Sequence, residues 1–393
     1  MNMMPFAHVS KMRIDRDGTF SVILMDGQNV TSAFGKEAFE RTSLISSSTY
    51  LPQESRVSLQ TTRGDEIFID LPRPEDPSPL NERITVYLDQ NHWSTLTNVL
   101  YDPGRVADDE ERDAAKRLIS LVSAKKIVLP MSAAHISETC KQADFDQRYK
   151  RALTITQLSA GWQLRDPLDL RRFELRQALA HRYRGRRLVS PVAVTLDPDA
   201  LYSARDRQPS DIDDSFPPQV QWIMHVIISA GANVDTMLDA EHVPLDPSAE
   251  WVAQFQQFAE FIHDNPSTKE VKRQRTCAKF ISDLGKELPE ESVRAEITPD
   301  EMGDWMLNHV DNDLRKMPSL GIFREVLHEK LSDGRLRWED NDLTDMVYLA
   351  AATGYCDYVV GERAHISHIT NGIRRLGRGG RVFRNLRSFV ESL

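Results

Sequence analysis

The chain has 393 residues, a formal net charge of −10, 40% hydrophobic residues and 27% charged residues. This composition is typical of a globular protein that buries a sizeable core in two or three compact units. No apolar run reaches the length of about 18 residues that spans a membrane, and the N-terminus lacks a signal-peptide pattern, so we expect a cytoplasmic protein without membrane contact. Three widely separated cysteines without CxxC spacing argue against a disulfide framework or a structural zinc site.

Residues 1–75 alternate between apolar and polar side chains, with short turns between the alternating segments. These turns contain Asp17-Gly18, Asp26-Gly27 and Arg63-Gly64-Asp65. The pattern predicts a small antiparallel β module. A proline-rich segment at 71–82 predicts a stiff linker after it.

An α/β pattern begins after the linker with the apolar run ITVYL, which stops at Asp89 and is followed by a helical stretch to about Tyr101. A second apolar run, KIVLPM, precedes a predicted helix that carries Glu138. Ser132 or Ser137 can cap this helix. A succession of strand, helix, strand and helix predicts parallel strand pairing.

Residues 145–335 interrupt this pattern with several amphipathic helices and a Pro- and Asp-rich loop near 195–218, which we expect to be mobile. The α/β pattern resumes over residues 336–393. There a helix contains Asp342 and Asp345, the strand DYVVG stops before Glu362, and RVFRNL and RSFVESL predict a last strand and a last helix.

Four acids lie where strand-helix units open toward one edge of the predicted sheet: Asp89, Glu138, Asp345 and Glu362. In this order they resemble the PIN-like nuclease superfamily. The resemblance covers residues 83–144 and 336–393, and it implies a three-layer α/β/α fold with a central parallel sheet, interrupted by the helical insertion 145–335. The chain departs from the family at Gly361-Glu362, where a hydroxyl residue followed by aspartate is more common.

The resemblance implies that Mg²⁺ or Mn²⁺ binds these carboxylates, because hard divalent ions prefer oxygen ligands. Asp89 and Asp345 are assigned to direct metal contact, and Glu138 and Glu362 complete the site directly or through water. Such an ion can orient a water molecule and offset the charge that develops on a phosphodiester. Asp342 shares a helix face with Asp345 and is an alternative ligand, although its position before LTDMVYL also fits an ordinary helix cap.

The resulting expectation is a metal-dependent endonuclease acting on RNA in preference to DNA, with the RNA preference resting on the resemblance alone. A toxin or phage-defence role stays open. The stretch 165–187 has eight arginines against three acids, and 374–387 has six arginines and no acid. Either stretch is a phosphate-binding surface or a solvated helix face. The residues considered for substrate binding are Asn91, His365, Arg171, Arg172, Arg184, Arg378 and Arg381.

Two alternatives remain from the sequence. Arg176 and His181 have the R-x4-H spacing of HEPN-type ribonucleases, which use no metal and let the RNA 2′-hydroxyl attack. The other alternative is a non-catalytic scaffold that binds RNA or protein. The N-terminal module and the insertion also offer surfaces for a homo-oligomer or a protein partner.

Overall fold

The computed structural model describes residues 8–33, 39, 43–72, 80–202, 218–238, 249–334, 336 and 338–393. Most of the predicted linker and of the predicted mobile loop near 195–218 lies outside the described residues. The chain forms two compact units. The first comprises Met1–Ile84, Trp93–Leu164 and Val194–Pro244, and the second comprises Thr85–His92, Arg165–Ala193 and Leu245–Leu393.

The strands within the described residues are β1 (Val9–Asp15), β2 (Thr19–Leu24), β3 (Asn29–Ala33), β4 (Ile45–Leu51), β5 (Arg56–Thr61), β6 (Glu66–Asp70), β7 (Ile84–Leu88), β8 (Ile127–Val128), β9 (Gln163–Leu164), β10 (Val194–Thr195), β11 (Tyr358–Val360) and β12 (Val382–Phe383).

The α-helices within the same residues are α1 (Gln90–Tyr101), α2 (Asp109–Ser123), α3 (Ala133–Cys140), α4 (Phe145–Ser159), α5 (Pro167–Arg184), α6 (Pro218–Leu238), α7 (Ala249–Asp264), α8 (Lys269–Asp283), α9 (Glu287–Arg294), α10 (Pro299–Asp304), α11 (Val310–Leu314), α12 (Pro318–Ser332), α13 (Asp342–Tyr355), α14 (Arg363–Leu376) and α15 (Leu386–Glu391). A π-helical turn at Trp305–His309 joins α10 to α11. No described helix is both long and apolar enough to cross a bilayer.

The first unit contains the predicted antiparallel β module as a sheet of order β3-β2-β1-β4-β5-β6. Its tight turns use glycine at positive φ, as at Gly27 (+88°) and Gly64 (+89°), where a side chain would be strained. On β6, Ile67 and Ile69 are buried while Phe68 between them is 40% exposed. This alternation sets the register, because a slip of one residue would expose the apolar face.

The β module packs against α4 and is part of the same compact unit as this helix. The Tyr149 hydroxyl lies 2.9 Å from Thr61 Oγ1 and 2.7 Å from Asp65 Oδ2, and the Asp70 backbone N–H donates to the Ala160 carbonyl at 2.8 Å. The compact units are therefore divided differently from the predicted domains 1–75, 83–144 with 336–393, and 145–335. These contacts join segments about 80 to 90 residues apart, which local sequence patterns do not encode.

The second unit contains parallel strands in the order β12-β11-β7. Val360 is opposite Leu88 in one pair and Phe383 in the other. The run ITVYL is apolar almost throughout because the strands of a parallel sheet are covered on both faces. At the start of β7, Thr85 N–H and Oγ1–H both donate to Asp357 Oδ2 at 2.8 Å, which locks the strand to β11.

Helix α12 is the centre of the helical part of the second unit. Its residues Phe323, Val326 and Leu327 are buried, and the Phe323 ring packs against Phe280 of α8 with the ring centroids 5.9 Å apart. Helices α5, α7, α8, α13 and α14 pack around it. The described residues thus form a mixed α/β structure with a six-stranded antiparallel sheet, a two-stranded antiparallel sheet of β9 and β10, and a small sheet with parallel strands.

Candidate functional site

Asp89 and Glu362 lie side by side at the carboxyl ends of two neighbouring parallel strands, β7 and β11. The Glu362 backbone N–H donates to Asp89 Oδ2 at 3.2 Å, and the Gln90 N–H donates to Asp89 Oδ1 at 2.7 Å. Both bonds orient the Asp89 carboxylate. The Glu362 side chain is exposed. The sheet thus brings these two predicted acids together, at the edge where open α/β sheets bind ligands.

Gly361 lets two helices, α13 before β11 and α14 after it, approach this edge. A Cβ atom at Gly361 would lie 3.2 Å from Ile366 Cδ1 and 3.3 Å from Leu349 Cδ2, closer than most side-chain contacts. Leu349 is on α13, one turn after Asp345, and Ile366 is on α14, one turn after Glu362. A residue without a side chain at 361 therefore lets both helices pack closely beside the end of β11.

Asp345 and His365 form a second pair, one on each of these two helices. His365 Nε2 lies 3.8 Å from Asp345 Oδ2, and the side chains are 10% and 13% exposed. The other ring nitrogen of His365, Nδ1, is buried and has no hydrogen-bond partner among the described residues. A buried imidazole of this kind can hold or pass on a proton. Asn91, the other polar residue predicted near the site, is exposed in the first turn of α1.

Asp342 is held away from this pair by a partner in the protein. It forms an ion pair with Lys330, and both side chains are 8% exposed. It also accepts a hydrogen bond from the Glu339 N–H. It is the first residue of α13 rather than its cap, and the preceding Asn341 makes no capping bond through its side chain. Its carboxylate thus neutralises a buried ammonium group.

Glu138 belongs to the first unit, on α3. Ser132 caps this helix as predicted, since its Oγ accepts the His135 N–H and the His135 ring accepts the Ser132 N–H. Burial lowers the pKa of Arg151, and the Glu138 charge opposes this shift. Glu138 therefore has a cationic neighbour within its own unit.

A divalent cation suits the Asp89 and Glu362 pair by the chemistry of its donors. Within the described ranges, no three His, Cys, Asp or Glu side chains are grouped closely enough to hold a metal ion by themselves. Mg²⁺ keeps several waters and commonly uses only one or two carboxylates together with substrate phosphates. Two carboxylates on adjacent backbones, one of them exposed, fit that mode of binding.

Two arginines considered for substrate binding are buried and directed at carboxylates. Arg171 is 6% exposed and bonds to Glu287 Oε1 from Nε at 3.1 Å, with Asp283 also within ion-pair distance. Arg172 is 8% exposed and lies 3.5 Å from Asp169. In this conformation neither guanidinium faces solvent, so the expected phosphate contacts of Arg171 and Arg172 are not formed by this surface.

The other three arginines considered for substrate also have partners inside the protein. Arg184 makes two bonds to Glu301, at 2.7 and 2.6 Å. Arg378 donates to the carbonyls of residues 315, 317 and 318, where α11 ends and α12 begins. Arg381 donates to the Tyr358 hydroxyl at 2.6 Å. These guanidiniums bond to groups on other segments of the second unit.

Arg176 and His181 do not act on a common point. Arg176 lies 3.5 Å from the buried Glu291 carboxylate on α9, whereas His181 lines a cavity on another side of α5. Five residues along a helix correspond to a rotation of about 140°, which separates the two side chains. Within the described residues the two side chains therefore do not meet on one face of α5, and the HEPN-type alternative stays a prediction.

The sequence did not predict Glu174, a carboxylate buried at the inner end of that cavity. Its Oε1 accepts the Ser319 N–H at 2.7 Å and the Tyr355 hydroxyl at 2.8 Å, and its Oε2 accepts the Leu320 N–H at 2.9 Å. Burial raises its pKa to about 7 despite these donors and the Arg378 charge. The only signal in the sequence was an acid between Phe173 and Leu175 in an arginine-rich helix.

Searches of protein-family models, of curated proteins and of solved structures find no match to this chain.

Proposed function

We propose that the second unit is a metal-dependent nuclease of PIN-like type that hydrolyses phosphodiester bonds in RNA, with Mg²⁺ or Mn²⁺ at the Asp89 and Glu362 edge. The observation that carries the proposal is the bond from the Glu362 N–H to Asp89 Oδ2, which joins the two acids at the ends of adjacent parallel strands. Like charges gathered at a ligand-binding edge are costly unless a cation compensates them.

The residues at this edge have distinct roles in the proposal. Asp89 is oriented by two backbone N–H groups and presents a fixed carboxylate, and Glu362 supplies a second one that solvent and substrate can reach. A bound divalent ion supplies positive charge that stabilises the phosphodiester in the transition state. His365 accepts a proton from the attacking water, and Asp345 Oδ2 lies 3.8 Å from His365 Nε2.

The test is a cleavage assay on end-labelled single-stranded RNA, tRNA and DNA with Mg²⁺, Mn²⁺ or EDTA. We expect RNA to be cut only with a metal, and Asp89→Asn and Glu362→Gln to lower the rate about a hundredfold, the order found when groups that hold a catalytic metal are changed. Calorimetric titration of Mn²⁺ into the same variants should show weaker binding. Glu138→Gln in this assay tests the role that the resemblance implies for that carboxylate.

Asp300→Asn is the matched control, because Asp300 is an exposed aspartate in the first turn of α10 within the same unit. It should leave both the cleavage rate and Mn²⁺ binding unchanged. Cleavage that persists in EDTA, or that Asp89→Asn leaves intact, would disprove the proposal. RNA binding without cleavage under every condition would favour the scaffold alternative.

A further inference from the structure

A cavity of about 570 Å³ opens in the second unit, between α5, the junction of α11 with α12, and the end of α13. Its volume is within the range of small-molecule sites. Every residue that lines it belongs to the second unit. It contains neither Asp89 nor Glu362, so it is separate from the proposed metal site.

One wall of the cavity is apolar and partly aromatic. The apolar and aromatic residues that line it are Phe173 and Ala178 of α5, Met317, Pro318 and Tyr355. Flat ring systems bind well against such surfaces, because stacking on aromatic side chains adds to the gain from burying apolar area.

The two acids that line the cavity are already satisfied by the protein. Glu174 accepts three hydrogen bonds at the start of α12. Asp313 accepts two bonds from Arg182, at 2.7 and 2.6 Å, and one from Trp305 Nε1 at 3.0 Å. Both carboxyl groups are therefore committed to hydrogen bonds within the protein and are poorly placed to bind a cationic ligand.

The remaining polar groups at the mouth are mainly donors. Lys316 is exposed and forms no ion pair within 4.0 Å among the residues that the structure describes, although the Asp313 charge is near it. His181 and Ser190 are exposed beside it. An ammonium group, an imidazole and a hydroxyl at the rim of an aromatic cavity suit an anionic group on a ligand whose flat body enters the cavity.

We propose that this cavity binds a nucleoside monophosphate, with the base against Phe173 and Tyr355 and the phosphate at Lys316 and His181. The ligand is either a free nucleotide or a nucleotide within an RNA strand. The second source has a geometric basis, because α13 carries Asp345 in its first turn and Tyr355 as its last residue. Ten helical residues span about 15 Å, or roughly four stacked nucleotide steps.

The binding test is isothermal titration of 5′-AMP, GMP, CMP and UMP, with adenosine and inorganic phosphate as partial ligands. The titrations use the Asp89→Asn variant in EDTA, in which the proposed nuclease is inactive. The binding result is therefore independent of the nuclease proposal. We expect at least one monophosphate to bind more tightly than adenosine or phosphate. Lys316→Glu should weaken it about tenfold, since it reverses the charge beside the phosphate, and Ala178→Phe should weaken binding because the added ring occupies part of the space beside Phe173.

Lys286→Glu is the matched control, because Lys286 is an exposed lysine of the same unit that precedes α9. It should bind like the parent chain, and circular dichroism should show that all variants remain folded. If AMP competes with a single-stranded RNA for binding, the ligand is a nucleotide of the strand, and if it does not, the ligand is a free nucleotide. The proposal fails if no monophosphate binds at millimolar concentration, if adenosine binds as tightly as AMP, or if Lys316→Glu equals Lys286→Glu.

Discussion

Replacing Glu325 with glutamine is expected to lower the free energy of unfolding of the second unit by about 3–5 kcal/mol, the usual cost of removing one partner from a buried ion cluster. Glu325 is fully buried on α12. Its Oε2 accepts from Arg273 of α8 at 2.8 Å and from Arg375 of α14 at 2.7 Å, and its Oε1 accepts from Arg324 at 3.1 Å. Glutamine would leave three guanidiniums converging on a neutral group.

The same cluster makes the free energy of unfolding depend on pH. Burial opposes ionisation of Glu325, but hydrogen bonds from Arg273 and Arg375 outweigh it and lower its pKa to about 2. A carboxyl whose pKa is lower in the folded chain contributes stability above its unfolded pKa of 4.5, and loses it as the pH falls toward 2. The stability difference between parent and Glu325→Gln should therefore shrink as the pH is lowered through this window.

Urea unfolding followed by circular dichroism, at pH 7 and at pH 3.5, measures both effects. Glu329→Gln is the matched control, because Glu329 lies one turn further along α12, pairs with the same Arg375, and is 26% exposed. As a partly exposed pair it should cost less than about 1 kcal/mol. If the two variants lost equal unfolding free energy, the buried cluster would contribute no more to stability than the partly exposed ion pair.

Glu174 is expected to give the opposite pH dependence. Burial raises its pKa from 4.5 to about 7. A carboxyl group whose pKa is higher in the folded chain than in the unfolded chain makes its full contribution to stability below the unfolded pKa of 4.5. This contribution is lost as the pH rises through the folded pKa of about 7. The difference corresponds to about 3 kcal/mol, taking each pKa unit as about 1.4 kcal/mol. The parent chain should therefore lose most of this contribution, about 2.5 kcal/mol, between pH 5 and pH 8.

Glu174→Gln should remove that loss, since an amide does not ionise. At pH 5 the variant should be less stable than the parent, because one amide oxygen cannot serve the donors from Ser319, Leu320 and Tyr355 as the carboxyl group does. The comparison is the change in unfolding free energy between pH 5 and pH 8, with Glu270→Gln, an exposed acid in the first turn of α8, as control. If the parent and Glu174→Gln changed equally over this range, the raised pKa of Glu174 would be contradicted.

The local patterns predicted the elements around the site well. The strand ITVYL ends at Leu88 and α1 ends at Tyr101, both as expected from the sequence. Parallel pairing is observed between β11 and each of its neighbours β7 and β12, and the antiparallel module before them is confirmed. Burial on both faces of a strand requires an unbroken apolar run, and a helix start requires a polar cap, so both features are visible in a short window of sequence.

Charge pairing was much less predictable. From its local charge count, the arginine-rich stretch at 165–187 was a candidate basic surface. In the structure, Arg171 bonds to Glu287 and Arg182 bonds to Asp313, which lie 116 and 131 residues further along the chain. Asp342 read as a helix cap, but it pairs with Lys330 of α12. A local count of charges cannot show which acid a folded chain will bring to each base, because ion pairs form across tertiary contacts.

The sequence by itself determined the α/β character, the antiparallel module, and the positions of Asp89 and Glu362 at two strand ends, because strand burial and helix starts leave local signatures. Only the tertiary structure decided that these two acids are neighbours, that Asp345 faces His365, that the arginines are used internally, and that α5, α12 and α13 enclose a cavity. Each of these depends on packing between distant segments, where side chains compete for partners that no local pattern specifies.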